Sequence, residues 1–219
     1  MARPRTQLLS REIILDAALE LIRTQHDFTI VGIGKHLGVN PSSLYHHISG
    51  GKDEIINALR ERIYKNIDLR SLQTRSPSWQ SKLAAWVRAY REAVAQNPAA
   101  IPILIGQSVD DAPTLAIYEA LASILSEAAI PEDQHLGVIS MLDSLVFGSA
   151  IDAGSPEPLW DTTAEGQPNL HRAVAMTRTP DRVTSGLEMG IQAAVSYIER
   201  LVEESSTATT DFEAADRGR

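Results

Sequence analysis

The chain has 219 residues, 43% of them apolar, and a formal net charge of −8, which suffices for a real core in one or two small domains. It has no cysteine, so a disulfide framework and a thiolate metal site are excluded. The charge is uneven: residues 1–65 hold 9 Lys and Arg against 7 Asp and Glu, and the remainder 11 against 21, the sign expected of a small nucleic-acid head on an acidic body, although a surplus of two does not decide the matter alone.

Nearly every segment has helical period, and no run alternates as a strand should. Residues 1–9 form a polar arm with Arg3 and Arg5, which either reaches a minor groove or is a solvated tail. Nothing apolar follows Met1 as it would in a secretory signal. Ser10 is placed to cap a first helix, with Leu9 and Ile14 as a hydrophobic staple. That helix runs to about Thr24 and buries Ile14, Ala17, Ala18, Leu21 and Ile22. Thr29 caps a short second helix ending at Leu37, and Gly38 follows. Asn40 caps a third, with Pro41 at its first position. After Ser49, Gly50 and Gly51, a fourth helix runs from about Lys52 to Asp68.

Residues 71–78 read as a linker. A fifth helix, Ser78 to Gln96, aligns Trp79, Leu83, Trp86, Tyr90 and Val94. A sixth covers about Pro98 to Gln107, a seventh Ala112 to Ala129 and an eighth Glu132 to Ala153. The uncharged run Asn97 to Val109 contains two prolines and is too short to span a bilayer, so no membrane association and a cytoplasmic location are expected. Residues 154–180 read as a long loop with a helical turn near Leu170 to Val174. The last helix is expected from Asp181 to about Glu204, with a disordered tail over 205–219.

The second and third helices form a helix-turn-helix. Gly34 lets their backbones approach, Gly38 supplies the positive φ of the turn, and Ile33, Leu37, Val39, Leu44 and Ile48 face the core. The outward face of the third helix holds Pro41, Ser42, Ser43, Tyr45 and His46. Small residues let a recognition helix enter a major groove by its N-terminus, and Tyr and His donate to phosphates without adding charge.

Residues 10–60, and above all Leu44, Tyr45 and His46, resemble the N-terminal domain of the tetracycline-repressor-like (TetR) family. The resemblance implies an all-helical protein with a DNA-binding head over 1–50 and a dimerisation and ligand-sensing body over 51–204. It implies a homodimeric regulator, usually a repressor, released from double-stranded operator DNA by a small-molecule effector. By position, Thr29 caps and touches a phosphate, Pro41, Ser42 and Ser43 approach bases, and Tyr45 and His46 hold the backbone. Two positions depart from the family pattern. Val31 and Gly32 stand where a polar first turn is usual, and Gly51 stands where a lysine is usual, which shifts the phosphate role to Lys52.

No nucleophile with base spacing, glycine-rich phosphate loop or paired carboxylates suggests an enzyme. No cofactor or metal is expected; adjacent His46 and His47 point in different directions. Two stripes of small residues, Ser140, Ser144 and Gly148 on the eighth helix and Gly186, Gly190 and Ala194 on the last, indicate close helix packing. From spacing alone this is either core or interface; the resemblance implies a four-helix dimer interface. Trp86, Tyr90, Gln107, Tyr118, Asp143 and Phe147 are polar or aromatic groups on apolar faces and form the candidate ligand site. The alternative is a helical ligand-binding or interaction protein that no longer binds DNA.

Overall fold

A computed structural model describes residues 9–70, 78–156, 159–162, 166–176 and 182–217. The expected arm at Arg3 and Arg5 and most of the 71–78 linker lie outside them. Among the described residues the chain is helical without strands. The helices are α1 (Arg11–Gln25), α2 (Ile30–Leu37), α3 (Pro41–Leu44), α4 (Gly51–Tyr64), α5 (Trp79–Ala95), α6 (Ile101–Ile105), α7 (Ala112–Glu127), α8 (Glu132–Asp152), α9 (Pro168–Met176) and α10 (Arg182–Arg217), with a 3-10 turn over Pro98–Ala100 before α6.

The chain divides into two compact units, residues 1–66 with 96–115, and residues 67–95 with 116–219. The division differs from a head ending at residue 50, because α4 and the 96–115 segment cluster with the first three helices. In the first unit, α1 packs on α2, α4 and the 3-10 turn, and α6 packs on α4. Ile14, Ala18, Ile22, Ile33, Leu44, Ile48 and Leu59 are buried there. Leu37 and Val39 are half-buried at its margin.

Arg60 of α4 is 1% exposed and holds the 96–115 segment. Its guanidinium donates to the carbonyls of Leu104 at 2.5 Å, Gln107 at 3.0 Å and Ser108 at 3.3 Å, and to Asn57 Oδ1 at 3.0 Å. The Asp111 carboxylate lies 3.7 Å away. A buried charge is tolerated only when so matched.

In the second unit, α5 and α8 pack along each other, and α10 packs on both. Leu83, Trp86, Val87 and Tyr90 of α5, Val138, Leu142, Val146 and Ala150 of α8 and Leu187, Ile191 and Ile198 of α10 are buried in its core. The four α8 residues recur every fourth position, so they line one side of that helix. Among the described residues, α8 is the helix long and apolar enough by length and composition to cross a membrane; one side of it is this core stripe. Between α8 and α10, Arg182 pairs with Asp152 at 2.6 Å and lies over the Trp160 ring. The expected helical turn there is α9, none of whose residues is buried. The expected disordered tail from Ser205 is instead a continuation of α10 to Arg217. No glycine or proline interrupts residues 191–217, and Ser205 and Thr207 turn their hydroxyls back to the carbonyls of Leu201 and Glu203.

Candidate nucleic-acid interface and effector site

The surface of the helix-turn-helix is set by its caps. The Thr29 hydroxyl oxygen accepts the Gly32 N–H at 2.9 Å, and Thr29 itself is exposed. Gly38 closes α2 at φ 68°. A Cβ on Gly34 would stand 3.1 Å from the Val39 carbonyl and 3.0 Å from Pro41 Cγ, so a side chain at this close approach obliges its neighbours to give by a few tenths of an ångström. Asn40 Oδ1 accepts the Ser42 N–H at 3.0 Å and starts α3. Ser42 and His46 are exposed, Pro41 and Ser43 half-buried, and Tyr45 is 49% exposed. The Ser43 hydroxyl donates to the Asn40 carbonyl at 2.6 Å, so it offers a partner only its lone pairs. Val31 is 66% exposed on the first turn of α2.

Lys52 has a partner that spacing could not reveal. Its ammonium donates to Asp27 Oδ1 at 2.7 Å and stands over the Phe28 ring. The Lys52 hydrogen bond, then the Phe28 N–H, holds the Asp27 carboxyl below the usual range. An ammonium has three donors, so half-exposed Lys52 keeps two for a phosphate. Gly51 adopts φ 65°, a region glycine enters without steric cost. The Gly50 N–H donates to the Glu54 carboxylate at 2.7 Å, which fixes the start of α4.

The second unit brings five of the six candidate ligand residues together. Tyr90 meets Trp86, Tyr118 and Phe147 edge to face, with centroids 5.0, 6.3 and 5.7 Å apart. The Trp86 indole N–H donates to the Ile117 carbonyl at 3.0 Å. The Tyr118 hydroxyl donates to the Asp143 carboxylate, 3.1 and 3.3 Å from its two oxygens, and lies 3.3 Å from the Tyr90 hydroxyl. Burial pushes the Asp143 carboxyl up to about 6, against the opposing effect of the Tyr118 bond. Trp86 and Tyr90 are 1% and 2% exposed, while Tyr118, Asp143 and Phe147 are half-buried. Gln107 is the sixth. It belongs to the first unit, where its amide donates to Asp53 at 2.7 Å.

The small-residue stripes also separate. Ser140, Ser144, Gly148 and Gly186 are exposed, with open space over Gly148 and Gly186. Gly190 and Ala194 instead face the protomer's own packing: a Cβ on Gly190 would collide with the Leu145 side chain, and Ala194 is buried. The outward face of α10 is Gly186, Met189, Ala193 and Tyr197, with Met189 69% exposed; on α8, Leu136 is 77% exposed. Two open grooves, one beside Asp16, Glu20, Arg23 and Gln96 and one beside Gln80, Arg88, Glu188 and Gln192, contain none of the sequence-predicted residues.

Residues 73–193 match a family described as the tetracyclin repressor-like C-terminal domain. None of the curated proteins matches the sequence. Among solved structures, a possible TetR family transcriptional regulator from Streptomyces coelicolor A3(2) superposes with a TM-score of 0.68 at 16% identity, over 88% of this chain and 100% of that one. Apo ActR from Streptomyces coelicolor gives 0.68 at 15% identity, over 91% and 99%. A substituted TetR from Acinetobacter baumannii AYE in complex with minocycline gives 0.61 at 19% identity, over 89% and 98%.

Proposed function

The chain belongs to the tetracycline-repressor-like family of transcriptional regulators, and from that premise we propose that it is a homodimeric repressor released from an inverted-repeat operator by a small molecule. The observation that carries the DNA-binding reading is the exposed polar face of α3, with Ser42, Tyr45 and His46 presented between the Thr29 and Asn40 caps. In this reading Pro41, Ser42 and Ser43 approach base edges and Thr29, Tyr45, His46 and Lys52 hold phosphates. Two heads on a two-fold axis read two identical half-sites.

The dimer forms through the outward faces of α8 and α10. Ser140, Ser144, Gly148 and Gly186 allow close approach, and Leu136, Met189 and Tyr197 supply apolar area. The exposed apolar residues of α8 support this better than a membrane, since Asp143 lies in its middle and its other side is core. The effector enters at the cluster of Trp86, Tyr90, Tyr118, Asp143 and Phe147. Minocycline in one similar structure and (S)-DNPA in another, an ActR complex, support a small-molecule effector. Coupling between effector and operator is about 1–3 kcal/mol and reciprocal. The protein acts in the cytoplasm, where its DNA is.

Selection of duplexes from a random pool by the purified protein tests the reading. Selected fragments carry dyad symmetry, and affinity for them falls steeply with salt. Fragments without symmetry, or binding no tighter than to random duplex, favour a helical binding protein that has left DNA.

A further inference from the structure

We propose that the effector carries an organic ammonium group, bound by the Asp143 carboxylate amid the rings of Tyr90, Tyr118 and Phe147, an assignment that rests on the reading of this cluster as the effector site. Asp143 stands at the middle of α8, half-buried, and the hydrogen bond it receives comes from one phenol, whose single proton is shared between its two oxygens. A carboxylate has about four acceptor sites, so most of its capacity is open. Three other carboxylates of this unit are matched by cations: Glu188 by Arg88, Asp152 by Arg182 and Glu127 by Lys82, at 2.6, 2.6 and 2.5 Å. Arg91, next to Tyr90 on α5, turns to the Ser149 hydroxyl at 3.3 Å instead.

The polarity of the cluster points the same way. Because Tyr118 gives its proton to Asp143, its oxygen receives the proton of Tyr90. Both phenol dipoles thus point toward the carboxylate and hold negative charge there. Aromatic ring faces are negative and attract cations, and they disfavour an anion. Burial weakens the Asp143 acid and raises its pKa toward neutrality, so the ionised group bears a desolvation cost. An ammonium relieves that cost, and a neutral ligand of the same shape does not.

The experiment titrates naphthylmethylammonium, naphthylmethanol and naphthoate, one ring system in three charge states, into DNA-free full-length protein at neutral pH, followed by calorimetry. The cation is expected to bind about tenfold or more tighter than the alcohol, and the anion most weakly. Asp143→Asn is expected to bring the cation down to the level of the alcohol. Equal affinities, a preference for the anion, a cation margin that survives Asp143→Asn, or no saturable binding of the cation each overturn the proposal. The ranking on wild-type protein decides even where the variant fails to fold. Since no DNA is present, failure here leaves the operator reading standing, and failure of dyad selection leaves this result standing.

Discussion

Replacing Arg60 with alanine is expected to destabilise the protein by about 3–5 kcal/mol, the range for breaking a buried pair by removing one partner. The magnitude follows from what stays behind. The Leu104 carbonyl loses the donor of a fully buried hydrogen bond, which costs about 1–3 kcal/mol by itself. The Asp111 side chain, 11% exposed, loses the cation beside it, while its other oxygen continues to cap the Thr114 N–H at 2.9 Å. Gln107 O, Ser108 O and Asn57 Oδ1 are only part-buried and recover water, so they add little. Urea unfolding of the full chain, followed by far-ultraviolet circular dichroism, reads the loss as an earlier transition. Arg60→Lys keeps the charge but not the planar fork and falls between. A loss below about 1 kcal/mol for Arg60→Ala, the scale of an exposed ion pair, refutes the assignment of Arg60 as the residue that secures the 96–115 segment.

Lys52→Ala lowers the salt slope of operator binding by about one unit per head, and Asp27→Asn, which frees the ammonium, strengthens binding; filter binding over a salt series reads both. The Asp143 carboxyl is raised in the folded state, so its contribution to stability is present at low pH and is lost as pH rises through about 6. Asp143→Asn therefore raises the melting temperature at about pH 8 and leaves it nearly unchanged at about pH 4, an effect of roughly 1–2 kcal/mol after allowance for solvent screening; equal effects at both pH values contradict the burial reading. Gly148→Leu, placed in open space, converts dimer to monomer in sedimentation without loss of helicity. Gly190→Leu meets Leu145 within the protomer and costs about 1–3 kcal/mol of stability instead.

Local chemistry made the first unit legible. Ser10, Thr29 and Asn40 accept the amides their positions predict, and Gly38 has the positive φ that ends α2, because a cap involves residues two or three apart in sequence. Long-range pairings left no such trace. Arg60 reads as one more charge on an amphipathic helix, yet its carbonyl partners lie more than 40 residues away. Lys52 and Asp27 are 25 residues apart. A stripe of small residues states that a neighbour comes close but not which neighbour, so Gly148 and Gly190 look alike in sequence and face different surroundings. The aromatic cluster was visible as residue types on three helices. Gln107 was grouped with it but falls in the other compact unit, because helical period fixes a face and not the packing unit.

The first compact unit is built from two stretches of chain, residues 1–66 and 96–115, with α5 inserted in sequence between them. A regulator of this construction cannot exchange its first unit as a single contiguous cassette. A graft cut at residue 66 carries Arg60 into a host whose own 104–108 carbonyls must receive it, and a host with different loop geometry there leaves a buried guanidinium without acceptors. Chimaeras that keep the second unit must therefore either transplant both stretches together or confine the change to α2, α3 and their caps.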